Sequence, residues 1–449
     1  MPRTPFNHAT PRSRAATAPL TPHIRLAMAI TLALCLFLIP IRAQAQDIQL
    51  TLDRAKAIAL ENSPTLASAM ERVNQAREEI SQARSAYLPT LSANGGYNYT
   101  EAVVDTSADE TKHTAQLTLT QTLFDGFNRK YATLSAKYGK QANQAALDDA
   151  RRLLSWSVAQ AWVNVQLARE NIRIAQSDMA FNQKQQEEAA IKQEAGTGSL
   201  SDRLNFETKV ISARTNVVNY QQDLLEARIG LAALMGYGTA QLPRGMTITG
   251  LDSGGHGREA MLPDLETLAD QRPDIRKAGL AVDQAQAAVG VAKSDFYPTL
   301  SLTGGYGTSM GSNLLDDDTM GASLGFAVTI DLFDGGNRRS KVRQARSDQR
   351  ELEKDLKSAR ITALSELRTA LADISTAREQ LKLQEKNTNL VEKTRNLVDK
   401  EYQAGQVSLV RLNEAQNNLV TARGNLANAR TNLVLALEAF DYYSGTNIP

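Results

Sequence analysis

The sequence predicts an α+β membrane protein in which long helical hairpins are joined to short β-hairpins, and three observations predict it. First, the chain repeats itself. Tyr87-Leu88-Pro89-Thr90-Leu91-Ser92 returns as Phe296-Tyr297-Pro298-Thr299-Leu300-Ser301, an offset of 209 residues. The same offset relates Leu123-Phe124-Asp125-Gly126 to Leu332-Phe333-Asp334-Gly335, Pro64 to Pro273, and Ala195-Gly196 to Ala404-Gly405. One register held from Pro64 to Leu409 is a tandem duplication. Second, just after each Pro89-type proline the hydrophobic period changes from 3.6 to 2, over segments of about ten residues. Third, Asn128–Ala195 has no proline and one glycine, Gly139, and Arg338–Gln403 has neither; at 1.5 Å per residue each is about 100 Å of helix.

Composition sets outer bounds. The 449 residues carry a formal charge of +1 and 5% aromatics. Ala, Gln, Asn, Leu and charged residues dominate, which suits thin bundles of long helices better than one thick core. A balance this close to zero leaves no basic footprint for nucleic acid. Residues 1–45 read as a secretory signal peptide: Arg3, Arg12, Arg14 and Arg25 precede any acid, an apolar run spans Leu26–Ile39, and Ala43-Gln44-Ala45 fits an A-x-A cleavage pattern. That run is shorter than the ~20 residues a spanning helix needs. Without the leader the chain holds 45 basic and 49 acidic side chains. The single cysteine, Cys35, lies in the apolar run behind bulky Leu34, which is no lipoprotein signal, so no thiol or disulfide chemistry is expected beyond it. No later run is long and apolar enough for a transmembrane helix, which leaves a barrel as the way into a membrane.

In chain order, Thr51–Ala86 reads as helix, with Leu52, Ala55, Ala59, Leu66, Val73, Ala76 and Ile80 at helical steps and a break at Pro64. Pro89 ends it. In Thr90–Thr100, Leu91, Ala93, Gly95, Tyr97 and Tyr99 alternate with Ser92, Asn94, Gly96 and Asn98, and Thr114–Phe124 alternates likewise. The acidic stretch Glu101–His113 between them reads as an exposed loop. A soluble hairpin with one wet face gives the same alternation. After the Leu123–Gly126 corner come the long helix, a break at Ala195–Ser199, and a helix over Leu200–Met235. Gly236–Leu262 has no period and reads as a linker. The second copy repeats the plan: helix from about Leu265 to Ser294, strand Thr299–Thr308, loop Ser309–Met320, strand Gly321–Leu332, helix Arg338–Gln403, and a last helix to about Phe440. Val342, Ala363, Leu367, Ala370, Ile374, Ala377 and Leu381 form a coiled-coil seam. The domain plan is a signal peptide at 1–45, a first repeat at 46–236, an inter-repeat linker at 237–263 and a second repeat at 264–449.

Four amphipathic strands cannot close a barrel, and an open sheet edge in lipid leaves backbone groups unsatisfied. Three copies supply twelve strands, enough for a lumen, with the helices continuing on one side as a hollow bundle. Taken together, the tandem copies, the two Tyr-Leu-Pro-Thr-Leu-type stretches, the Leu-Phe-Asp-Gly corners, Arg272-Pro273-Asp274 and the Ala-Gly breaks resemble the outer-membrane efflux protein family, over essentially the whole chain after the leader. The resemblance implies a TolC-like channel-tunnel: a trimeric 12-stranded β-barrel, four strands per protomer, in the outer membrane of a Gram-negative bacterium, continued by a long periplasmic α-helical barrel. It implies a homotrimer in outer membrane lipid that works with a periplasmic membrane-fusion adaptor protein and an inner-membrane transporter of ABC or RND type. It implies a passive conduit and not an enzyme, exporting secreted proteins, small toxic compounds or both. The missing lipoprotein signal and the Leu-Phe-Asp-Gly corners lean toward the type I secretion branch, with multidrug or small-molecule efflux as the alternative. A reading of another class, a periplasmic coiled-coil scaffold without a pore, requires neither the leader nor the period-2 strands.

By position, the resemblance places a periplasmic gate at Ser201, Asp202, Tyr402, Arg411 and Glu414. An Asp202 carboxylate reaching the Tyr402 hydroxyl would tie one helical hairpin to its neighbour. Where the family pattern has a ring of two aspartates this chain has Arg411 and Glu414, and Val407 sits where an Arg often reaches Asp202. Arg411 is the 209-residue counterpart of Asp202, so the two could alternate in a charged ring. The competing reading of these charges is a solvated helix face. Gly196 and Gly405 mark the helix-break, equatorial turns, and Pro89, Pro298, Asp125, Gly126, Asp334 and Gly335 the helix-to-barrel junctions. No cofactor or metal is expected: His8, His23, His113 and His256 share no element at ligand spacing. Ser199 and Ser201 sit in no nucleophile elbow. The acids Asp105, Asp109, Glu110 and Asp316–Asp318 read as solvated loop residues, and Trp156 and Trp162 as packing anchors.

Overall fold

The computed structural model describes residues 48–101, 110–243, 245–250, 264–308 and 320–445. The leader, the loop acids Asp105, Asp109 and Asp316–Asp318, and His256 lie outside the described residues. From Gln49 onward the chain is one compact unit. Its elements are β1 (Ile48–Leu50), α1 (Leu52–Asn62), α2 (Pro64–Ser85), β2 (Thr90–Thr100), β3 (Glu110–Asp125), α3 (Asn128–Glu194), α4 (Leu200–Leu234), β4 (Met246–Ile248), α5 (Leu265–Gln271), α6 (Pro273–Ser294), β5 (Thr299–Thr308), β6 (Met320–Thr329), α7 (Asn337–Gln403) and α8 (Leu409–Ser444).

Four strands form one antiparallel sheet in the order β2-β3-β5-β6. The two hairpins share a register: Thr90 faces Thr120, and Thr299 faces Thr329. Across the sheet, Leu91–Leu119–Gly304–Leu324 and Ala93–Leu117–Tyr306–Ala322 line one face, and Ser92–Thr118–Gly305–Ser323 the other. The pleat thus sorts the alternation into an apolar face and a hydroxyl-and-glycine face. The apolar face is bare: Leu91, Tyr97, Leu324, Phe326 and Val328 are 67–74% exposed. A patch of this extent is a contact surface, not ordinary solvated sheet.

Strand ends differ from the sequence reading where pairing with a neighbour decides them. β3 begins at Glu110, not Thr114, because β2 pairs with it out to Thr100. It runs to Asp125 because Gln121–Asp125 pair with Leu302–Thr299 of β5. β6 stops at Thr329, not Leu332, because it is an edge strand with no described neighbour to pair with residues 330–334.

Matched corners turn strand into helix. Asp125 accepts from the Arg129 backbone N (3.0 Å) and Nε (2.9 Å), while Arg129 also donates to the carbonyls of Ala86, Thr122 and Leu123. Asp334 accepts from Arg338 N (2.8 Å) and Nε (2.9 Å) and from Gly336 N (2.9 Å). Arg129 lies over the Tyr87 ring at 4.8 Å and Arg338 over Phe296 at 5.4 Å. The sequence reading marked Asp and Gly and missed the arginine four residues on. Gly126 has φ +65° and a Cβ there would lie 2.4 Å from the Ser294 carbonyl oxygen, so both conformation and space exclude a side chain.

α3 and α7 hold 67 residues each and run about 100 Å from the sheet. α4 (35 residues) and α8 (36) fold back along half that length. Gly196 and Gly405 therefore sit at the hairpin tips, not at mid-length. Mid-length is marked by Gly236, whose ideal Cβ would lie 2.5 Å from the Asn62 carbonyl oxygen at the α1–α2 break. There β1 pairs with β4, so the segment read as a structureless linker supplies a strand. Met246 and Ile248 close a core with Leu50, Val158, Trp162 and Leu231. Three residues are too short a run to show a period.

Beside this core lies an ionic hub. Arg152 and Arg272 are 5% and 4% exposed. Arg152 bonds Asp149 and the Tyr442 carbonyl (3.0 Å) and lies over the Tyr442 ring at 4.4 Å; Trp156 stacks on the same ring. Arg272 holds Asp274 through two bonds (3.0 and 2.8 Å) and Glu366 through one (2.6 Å), and Asp274 is also 3.7 Å from Arg152. Burial by itself would raise Asp274, but the bonds and charge of Arg272 outweigh it and hold the carboxyl below the usual carboxylate range.

Candidate functional site

The far ends of α3 and α7 are built from the same local chemistry. Thr197 N donates to the Lys192 carbonyl (2.9 Å) and Gly196 N to Gln193 (3.0 Å); Gln406 N donates to Glu401 (2.8 Å) and Gly405 N to Tyr402 (3.0 Å). This pair of bonds satisfies the last helical carbonyls and places a left-handed residue at the stop. Gly196 and Gly405 both have φ +74°. Ser199 then caps α4 through Ser201 N (3.1 Å), and Ser408 caps α8 through Arg411 N (3.4 Å). With open space around both glycines, Gly196→Ala and Gly405→Ala each cost only the left-handed backbone penalty, about 1–2 kcal/mol. Thermal unfolding by circular dichroism reads that loss, and no loss for either variant contradicts the left-handed stop.

The two tips are glued inside one chain. Phe206, wholly buried, packs with Ala189, Val398, Leu412 and Ala415, with Phe181, Tyr402 and Val407 around them. Over that knot Tyr402 Oη donates to Asp202 Oδ2 at 3.3 Å, joining the last turn of α7 to the first turn of α4. The helix N-terminus favours the Asp202 charge. Burial first, then the Asp202 charge and bond and the nearby Glu188, push the Tyr402 hydroxyl up to about 12. The donor's proton is therefore held through neutral pH: this contribution is complete below pH ~10, the ordinary tyrosine value, and is lost only as pH rises through about 12.

The remaining sequence candidates lie apart from this pair. Arg411 bonds Glu414 at 3.2 Å on one exposed face; within the chain it does not meet Asp202. Ser201 is exposed, and Val407 packs against the apolar knot. The structure adds what the sequence reading missed. Asn413 donates to Asn205 (2.9 Å), and Lys192 lies over the Tyr402 ring. Behind the tips is a polar layer: Gln416 donates to Asp178 (2.7 Å), Gln185 to Asp399 (3.0 Å), and Arg423 to Ser177 (3.0 Å) and Glu392 (2.9 Å). Gln185 Oε1, Gln416 Oε1 and Arg395 Nε are buried without a partner, each a cost of about 1–3 kcal/mol. Asn182 and Gln185 at helical steps otherwise occupied by apolar residues were the available signal.

The family model described as "Outer membrane efflux protein" matches residues 57–237 and 265–446. The "Probable outer membrane lipoprotein SilC" of Salmonella typhimurium is 27% identical over 304 residues, covering 65% of this chain and 63% of that one. The "Cation efflux system protein CusC" of Escherichia coli O6:H1 (strain CFT073) is 30% identical over 259 residues, covering 56% and 54%. The chain thus matches between half and two thirds of the length of these relatives. A crystal structure of CusC superposes with a TM-score of 0.80 at 22% identity, covering 88% of this chain and 92% of that one.

Proposed function

The chain belongs to the outer membrane efflux protein family, and from that premise we propose that it is the passive outer-membrane conduit of an export system, closed at its hairpin tips. The observation that carries this is the four-stranded sheet, with a bare apolar face, a polar face and two open edges, set on helices about 100 Å long. Only closure with other copies satisfies such edges in lipid, and three copies give twelve strands. The polar face then lines the lumen, and the helices extend the lumen across the periplasm toward an adaptor and an energised inner-membrane transporter. The chain works by shape and gating and makes no bonds. Its cargo is secreted protein, small toxic solute or both. The Leu-Phe-Asp-Gly corners lean toward type I protein secretion, and the name of one relative, a cation efflux system protein, leans toward solute efflux.

The test is reconstitution. The protein purified from outer membranes should run as a heat-sensitive trimer and insert into planar bilayers as a low-conductance channel. Deletion should sensitise cells to toxic cations or drugs if solutes are the cargo, or abolish a secreted protein if protein is. A soluble species that never conducts would sink the proposal.

A further inference from the structure

The polar face of the sheet carries little charge until it reaches the helices. From Ser92 and Thr118 across Gly305 to Ser323 and down to Thr329, it presents hydroxyls, amides, glycines and one alanine. At its far end Lys112 and Glu110, opposite Asn98 and Thr100 in the register, add one charge of each sign. Where this face meets the helices a cavity of about 690 Å³ opens. Thr90, Thr120, Thr299 and Thr329 bring the polar face into its wall, beside four carboxylates and three cations. Six of these seven charges are paired: Asp125 with Arg129 and Asp334 with Arg338, each at 2.9 Å, and Asp295 with Lys341 at 3.0 Å. The seventh, Asp331, is exposed and has no hydrogen bond or ion pair among the described residues. It lies two residues past Thr329, so the pleat keeps it on the polar face. The 209-residue offset isolates it further. The corner pairs occur in both repeats, but the counterpart of Asp331 is Thr122, and those of Asp295 and Lys341 are Ala86 and Ala132. The cavity's net charge of −1 is therefore the charge of Asp331 alone.

We propose that Asp331 sets the charge preference of the lumen, favouring cations and positively charged cargo at the junction of sheet and helices. The inference rests on the conduit reading above and adds to it a selectivity residue far from the hairpin tips. Three copies place three unpaired carboxylates at one level of the lumen, and a ring of carboxylates is what makes a pore prefer cations. Two features strengthen it. Hydrocarbon jackets the barrel beside the junction, and low-dielectric walls confine field lines to the water inside. The hydroxyl-and-glycine wall next to it offers no fixed charge that would cancel the ring. The tips are different. There Arg411 lies 3.2 Å from Glu414 on one exposed face, and the Asp202 carboxylate is half-buried and bound by Tyr402. Charge at the tips is matched within each copy, whereas charge at the junction is not.

The test is the reversal potential of the full-length protein in planar bilayers across a KCl gradient, which gives the ratio of potassium to chloride permeability. The parent is expected to favour potassium. Asp331→Asn keeps the side chain's size and loses no bond, so the variant should run as the parent's heat-sensitive oligomer; its ratio is expected to fall about twofold or more. Asp331→Lys is expected to carry the ratio below one. The gap between parent and Asp331→Asn should close as salt approaches 1 M, where the Debye length is only about 3 Å. A parent that favours chloride, or a ratio that neither Asp331 variant moves, overturns the assignment and leaves the conduit intact. A ratio that moves with Glu414→Gln and not with Asp331→Asn puts the preference at the tips and overturns it equally. A protein that carries no current overturns both the assignment and the conduit reading.

Discussion

Arg272→Leu is expected to lower the stability of the helical part by about 2–4 kcal/mol. Removing one member of a buried ion pair leaves the other charges uncompensated, which costs about 3–5 kcal/mol when they are fully buried. Asp274 and Glu366 keep about a third of their side-chain surface in water (35% and 33%), so the cost falls somewhat below that range. The loss is felt far away because Arg272 ties α6 to α7, and Asp274 reaches Arg152 on α3. Equilibrium unfolding in detergent reads it through the two tryptophans: Trp156 stacks on Tyr442, which Arg152 holds, and Trp162 lies in the adjoining core. Arg360→Leu is the control. It breaks an exposed pair with Asp270 (50% and 55% exposed) and should cost less than about 1 kcal/mol. If both variants unfold alike, the hub is no hub. The pH dependence has a fixed sign. Asp274 is held below its ordinary value, so its contribution is present above pH ~4 and is lost as pH falls through the lowered value. Arg272→Leu should accordingly flatten the acid limb of stability.

Tyr402→Phe and Asp202→Ala are expected to make the purified channel leak at rest. Each removes the 3.3 Å bond between the last turn of α7 and the first turn of α4 while leaving the Phe206 knot beneath it. One such bond is worth about 1 kcal/mol, and the proposed trimer would carry three, so the closed state would lose about 3 kcal/mol and the open fraction rise by about two orders of magnitude. Single-channel recording at neutral pH is the measurement. Glu414→Gln, which touches only the exposed Arg411 pair, should leave closure as it was. Parental conductance in both latch variants would remove Asp202 and Tyr402 from the gate. The parent should hold its closure from pH 7 to about 10, since the Tyr402 proton is kept to about 12.

Much of this was legible residue by residue. Pro89 and Pro298 stop helices by chemistry local to them, so β2 and β5 begin where the sequence places them, at Thr90 and Thr299. The Asp202–Tyr402 pair was reached only through resemblance, because residues 200 apart in the chain carry no local signal of contact. Arg129 and Arg338 were missed because an arginine at the second position of a helix looks like any solvated charge until its carbonyl partners are in place.

The sequence by itself determined the periods, the breaks and the doubling, because helix stops, pleat alternation and glycine turns are set by neighbours within a few residues. Only the tertiary structure decided which polar groups were satisfied and which apolar stripes were covered. Ile211 and Val420 are both β-branched apolar residues on equivalent helices, and nothing in the sequence distinguishes them. One is bare and the other half-buried because α3 packs on the Val420 side of α8, while the Ile211 side of α4 faces away from α3, the helix it packs on, and has no described neighbour. Burial depends on what the rest of the molecule brings near, and that is not written in any residue's immediate neighbours.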